Sequence, residues 1–195
     1  MYRVILTAVD VVPAAIVLVP LFTVLHYTVY DRNLRKSLCY SIFCLYMSAV
    51  FILVGIPNVT YLRPEVNLNL IPFAGIIADL KNCMLNVVMF LPLGLFLPIL
   101  WKHFRKCMPC VAYGFGFSLT IELLQMLTFR ATDVNDLICN TAGTWLGFLL
   151  AKPLIRKYPA IEEANKDLYL LGGLSFCVMF FLHPFLSTWI WDQIL

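Results

Sequence analysis

Three stretches of this chain carry side chains able to do chemistry in an otherwise apolar sequence. In the first, Ser118, Glu122 and Gln125 are spaced four and three apart and share one helix face. In the second, Arg130, Asp133, Asn135, Asp136 and Asn140 crowd a short turn and the start of the next apolar run. Asp136 and Asn140, four apart, again share a face, as do Asn82 and Asn86 in the third stretch. A carboxylate such as Glu122 costs about 3 kcal/mol at the centre of a bilayer. It must therefore face protein or a water-filled cavity, and it needs a partner. Glu122 and Asp136, two carboxylates on neighbouring helices, could serve as general acid and base. Arg130 could meet a phosphate, and the amides and acids could hydrogen-bond sugar or peptide. The same residues have structural readings. Asp133 or Asn135 can cap the following helix, and Gln125 and Asn86 can act as glue between helices.

The elements that must position these residues are apolar runs. Of the 195 residues, 62% are hydrophobic and 13% charged, with a mean hydropathy of +0.87. A soluble domain is nearer half apolar and a quarter charged. A chain this size could not hide so much apolar surface from water, so lipid is its solvent. Six runs approach the roughly 20 residues that a span requires: 4–30, which holds Pro13 and Pro20, then 38–57, 83–101, 109–129, 134–151 and 168–190. The first has one early charge, Arg3, is too long for a signal peptide and has no small-residue cleavage site after it, so it is read as a helix. The expected fold is all-α: a polytopic membrane helical bundle of about six transmembrane helices, one integral-membrane domain over residues 1–195. Gly143 and Gly147 make a G-x-x-x-G in the fifth run, which permits close approach of a neighbour.

Orientation follows from Lys and Arg. One set of connections holds Arg32, Arg35, Lys36, Lys102, Arg105, Lys106, Lys152, Arg156, Lys157 and Lys166; the other holds Arg3, Arg63, Lys81 and Arg130. The ten-to-four split alternates with six spans and puts both termini outside. Glu122 then lies about 10 Å from the outer end of its span at 1.5 Å per residue. The polar set converges on one depth band in the outer half of the bilayer, and Asp10 could join it. The longest outer connection, 58–82, contains a mostly apolar stretch over 69–80, too short to cross. It is expected either as an interfacial or re-entrant segment or as an ordinary hydrophobic loop.

Other signals are weaker. The seven cysteines are scattered, mostly in apolar runs, and are read as small hydrophobes rather than a disulfide framework. Cys107 and Cys110, with His103 upstream, have redox or metal spacing but lack a fourth ligand and a strand–helix context. His26 and His183 stand alone in spans. The sequence carries no phosphate-binding loop, G-x-S-x-G, H-E-x-x-H or dinucleotide fingerprint, so no cofactor and no metal are expected. The basic residues form no groove with interleaved aromatics, which argues against nucleic acid.

Taken in order, Asn69-Leu-Ile-Pro72-Phe73, Asn86 with Phe90-Leu-Pro92-Leu-Gly94, Ser118-Leu-Thr-Ile-Glu122-Leu-Leu-Gln125, Arg130, and Asp133-Val-Asn-Asp136-Leu-Ile-Cys-Asn140-Thr-Ala-Gly143 resemble the VanZ-like family over about residues 67–150. The family often shows Asp-x-Asp-Asp in the last block, where this chain has Asn135, and an aromatic before the first Asp, where it has Thr132. The resemblance implies a bacterial cytoplasmic-membrane protein linked with resistance to teicoplanin-type glycopeptides, especially lipid-tailed ones. The expected ligand-binding set is Glu122, Gln125, Arg130, Asp133, Asp136, Asn140 and Asn86. Its expected partner is a membrane lipid or lipid-linked cell-wall precursor, or the antibiotic itself. Two alternatives stand beside this: an intramembrane enzyme using Glu122 and Asp136, and a lipid transporter or flippase. Against transport, the inner halves of the spans offer no polar path.

Overall fold

The computed structural model describes residues 2–28, 33–60, 62, 64, 68–73, 79–128, 132–162 and 166–194. Its elements in order are α1 (Tyr2–Thr28), α2 (Leu34–Val54), β1 (Leu68–Asn69), α3 (Leu80–Leu100), a 3-10 turn (Lys102–Arg105), α4 (Cys107–Gln125), β2 (Thr132–Asp133), α5 (Val134–Lys157) and α6 (Lys166–Cys177). A π-helical turn, Val178–Leu182, joins α6 to α7 (His183–Ile194). The chain is an all-α membrane protein. Among the described residues, α2, α3, α4 and the continuous segment Lys166–Gln193 are each long and apolar enough to cross a bilayer. Apolar side chains lie on both the packed and the open faces: α3 buries Leu93 and Leu97 and exposes Met84, Leu85 and Val88. Helices apolar all round belong in lipid. Contacts divide the chain into two units, 1–62 with 166–195, and 63–165.

In the first unit, α2 begins at Asn33, whose side chain accepts the Lys36 N–H at 3.1 Å. It ends at Gly55, which takes a left-handed φ of 64°, so that Gly55 and Ile56 both donate back to the Phe51 carbonyl. The π-helical turn has an identifiable cause. Pro184 has no N–H to give the Phe180 carbonyl four residues back. The Val59 N–H fills that vacancy at 3.1 Å. Tyr40, fully buried, donates its hydroxyl to Asp167 at 2.9 Å, and Lys36 pairs with the same carboxylate at 3.5 Å.

The second unit is built on the seam between α3 and α5. A methyl added at Gly143 would overlap the Val87 carbonyl oxygen, one at Gly147 the Leu91 carbonyl oxygen, and one at Gly94 the Thr144 carbonyl oxygen. The pairing of Val87 with Gly143 and Leu91 with Gly147 means the two helices run parallel and in register, backbone against backbone. Helix α4 returns antiparallel along α5, with Gly114 against the Thr144 side chain. Pro98 leaves the Gly94 carbonyl without its helical donor, and the buried Cys110 thiol points to it at 3.9 Å. At the far end, the Arg105 guanidinium donates to the carbonyls of Pro98, Ile155 and Tyr158 at 3.3, 3.0 and 2.7 Å. It thereby satisfies the open C-termini of both helices.

One expectation needs correction here. Cys83 and Cys139 are not independent hydrophobes but a disulfide, with Cα atoms 5.6 Å apart. The reason is the seam: Cys83 stands one turn before Val87 and Cys139 one turn before Gly143, so the register that seats the glycines also brings the two thiols together. The fold also contains a short parallel strand pair, Leu68 against Thr132 and Asn69 against Asp133. The long connection is therefore docked, where its apolar stretch begins, onto the α4–α5 turn. Leu70, Ile71 and Phe73 beyond it are exposed, and residues 74–78 of the expected interfacial stretch lie outside the described residues.

Candidate functional site

The parallel seam and the antiparallel return put the N-terminal ends of α3 and α5 beside the C-terminal end of α4. The polar residues read from the sequence collect at that end. Asp133 is the N-cap of α5. Its extended backbone precedes the helix, and its carboxylate accepts the Asn135 N–H at 2.8 Å. The second oxygen of the same carboxylate accepts from the Asn69 amide at 3.1 Å. Asn135 in turn accepts the Phe73 N–H at 2.7 Å, which holds Phe73 in an uncommon left-handed conformation with φ of 63°. The apolar loop is thus tied by side-chain amides to the acids of the turn.

Glu122 is 3% exposed. Its carboxylate accepts the Asp133 N–H at 3.0 Å, and its backbone carbonyl accepts the Thr132 hydroxyl at 3.0 Å. This is the partner its depth demands, and it comes from the adjoining turn. A carboxylate oxygen holding a backbone N–H in a dry setting makes a stronger hydrogen bond than the same pair in water. Glu122 therefore links the end of α4 to the start of α5.

The remaining residues form two further pairs. Asn86 on α3 donates to Asp136 on α5 at 2.6 Å, next to the disulfide. Asn140 donates to Ser118 at 2.9 Å, and the Thr144 hydroxyl donates to the Asn140 carbonyl at 3.1 Å. The Asn140 side-chain oxygen is buried and has no hydrogen-bond partner among the described residues. Gln125 is buried beside Glu122's end of α4, where its backbone carbonyl accepts the Thr128 hydroxyl at 3.0 Å.

Of the expected ligand set, hydrogen bonds join Glu122 to Asp133 and Asn86 to Asp136, and Asn140 is bound one turn deeper. Arg130 lies outside the described residues, as does the side chain of Asp10. The cysteine pair at the start of α4 forms no disulfide: Cys110 is buried toward Gly94 while Cys107 is exposed. Reasoning from spacing missed Thr144 and the Phe73 backbone. Thr144 carried a usable signal, four residues beyond Asn140 on the same face. The Phe73 bond joins residues 62 apart, which no local pattern announces.

This arrangement is a ladder of acids and amides on α4 and α5, braced by Asn69 and Asn86. The family model described as VanZ/LLP1 matches residues 37–156. Protein VanZ of Enterococcus faecium is 36% identical over 85 residues, a stretch covering 43% of this chain and 52% of that protein. The chain thus spans about half the length of this curated relative. No solved structure matches. The family match runs over 120 of the 195 residues and takes in α2 through α5, and with them every hydrogen-bonded member of the ladder. The chain belongs to the VanZ/LLP1 family.

Proposed function

We propose that the protein crosses a bacterial cytoplasmic membrane six times, with both termini outside, and lowers susceptibility to teicoplanin-type lipoglycopeptides. It would do so by engaging a lipid-linked cell-wall intermediate, or the drug itself, at the outer leaflet. The observation that carries this reading is the ladder. Glu122, Asp133, Asp136 and Asn140 converge at the end of α5 that the basic connections avoid. The Cys83–Cys139 disulfide sits at the same end, and disulfides persist in oxidising compartments outside the cytoplasm. The charge bias and the disulfide are independent arguments for the same orientation. The ladder's acids would meet hydrogen-bond donors of a sugar or peptide head, and Arg130, in the same turn of the sequence, would meet a phosphate.

The test is expression in a susceptible host, with the protein quantified in the membrane, followed by measurement of teicoplanin and vancomycin susceptibility. Protection against teicoplanin that exceeds protection against vancomycin is expected. A protein present in the membrane with no effect on either drug would remove the reading.

A further inference from the structure

The end of the second unit opposite the ladder carries charge of the other sign. Residues 101–110 and 151–160 hold Lys102, Arg105, Lys106, Lys152, Arg156 and Lys157 and no acid. The fold gathers the two stretches. Gly114 lies against Thr144 in the antiparallel α4–α5 pair, so seven residues further along each helix Cys107 is level with Ala151. The Arg105 guanidinium closes the junction through the Pro98, Ile155 and Tyr158 carbonyls. Those acceptors are neutral, so its charge is not cancelled. Lys106, Lys152, Arg156 and Lys157 are exposed, and among the described residues none of the four forms an ion pair. The Lys152 ammonium lies 5.8 Å over the Phe148 ring and that of Lys157 5.4 Å over the Tyr158 ring, which holds the two groups in place without neutralising them. Lys152 and Arg156, four apart on one face, repel each other. The cluster calls for an anion from outside the chain.

Depth decides which anion. Helix α3 rises about 30 Å from Leu80 to Leu100 at 1.5 Å per residue, the thickness of a hydrocarbon core. The basic turn Lys102–Arg105 follows after one residue, and Arg105 fixes the last turn of α5 at the same level. The cations therefore stand at the height of lipid phosphates. Met108, Leu154 and Tyr158 are exposed among them. A free anion offers nothing to those side chains. An anionic lipid sets its phosphate on the cations and its glycerol and upper chains on the apolar residues.

We propose that Lys106, Lys152, Arg156 and Lys157 form a binding site for the phosphate of an anionic membrane lipid, at the end of the second unit away from the ladder. The site uses neither the orientation nor the drug reading given under Proposed function.

The test is native mass spectrometry of the full chain in neutral detergent, offered equal amounts of phosphatidylglycerol and phosphatidylcholine with the same chains. A basic residue near an anionic headgroup is worth roughly fivefold in binding, and one phosphate meets two of the four. The first phosphatidylglycerol bound should exceed phosphatidylcholine by up to about 25-fold. Lys152→Gln with Arg156→Gln should cut that preference at least about fivefold. Arg35→Gln with Lys166→Gln removes the same charge from exposed positions of the first unit and should leave the preference intact. Equal binding of the two lipids by the wild-type protein overturns the proposal whether or not the variants fold. Equal loss in both double variants would assign the preference to summed charge, and also overturns it. Displacement of phosphatidylglycerol by glycerol 3-phosphate at equal concentration would make the ligand a free anion and overturn the lipid assignment.

Discussion

A single methyl group tests the α3–α5 seam. In Gly147→Ala, the added carbon would overlap the Leu91 carbonyl oxygen and press to 3.0 Å on the Gly94 Cα and the Leu91 carbonyl carbon. These are backbone atoms, which cannot rotate away, so the helices themselves must shift. The N-terminal ends of the two helices cannot splay, because Cys139, two turns earlier, is bonded to Cys83. Overpacking of this kind costs about 1–3 kcal/mol and sometimes more, while replacing a mid-helix glycine with alanine returns about 1 kcal/mol of helix propensity. The net expectation is a loss of up to about 2 kcal/mol, or up to roughly 8 °C in midpoint for a chain of this size. Gly116 is the control: a methyl there meets nothing within 4 Å. Gly116→Ala keeps the propensity gain without the overlap and should raise the midpoint by roughly 2–4 °C. Thermal unfolding of the purified proteins in one detergent, followed by the loss of the monodisperse chromatographic peak, gives the comparison. If both substitutions shift the midpoint in the same direction, α3 and α5 do not meet along these glycines.

The other predictions concern the clamp and the ladder. In denatured wild-type protein without reductant, polyethylene-glycol maleimide should add to five of the seven cysteines, and to all seven after reduction; seven adducts at the outset would remove the clamp. Closing a loop of this length contributes about 4 kcal/mol in the chain-entropy model, so Cys139→Ser should be clearly less heat-stable than wild type. Glu122→Leu strands the Asp133 N–H and should cost about 1–3 kcal/mol. Glu122→Gln keeps an acceptor for it and should preserve the unfolding midpoint while weakening teicoplanin protection; undiminished protection would show that a carboxyl group is not needed there. Asn135→Asp keeps the acceptor for Phe73 and should leave the loop as resistant to limited proteolysis as wild type. Asn135→Leu should expose cleavage within residues 68–73, and equal resistance of the two variants would refute the tether.

Lipid as the solvent, the helix at each of the six apolar runs, and the cap at Asp133 were all legible in the chain. Composition, period and capping chemistry are local properties, carried by residues within a turn of one another. The same period put Glu122 beside Ser118 and Asp136 beside Asn140, so the ladder's members could be named before their partners were seen. The partners themselves were decided by tertiary structure. Asn69 meets Asp133, Phe73 meets Asn135, and Cys83 meets Cys139 across 56 to 64 residues of chain. An apolar helix in lipid presents no face that its own sequence marks as inward. The spacing of Gly143 and Gly147 announced that some helix would come close. Only packing determined that it was α3, parallel and in a register that brings Val87 and Leu91 under the glycines, and that choice joined Asn86 to Asp136 and Cys83 to Cys139.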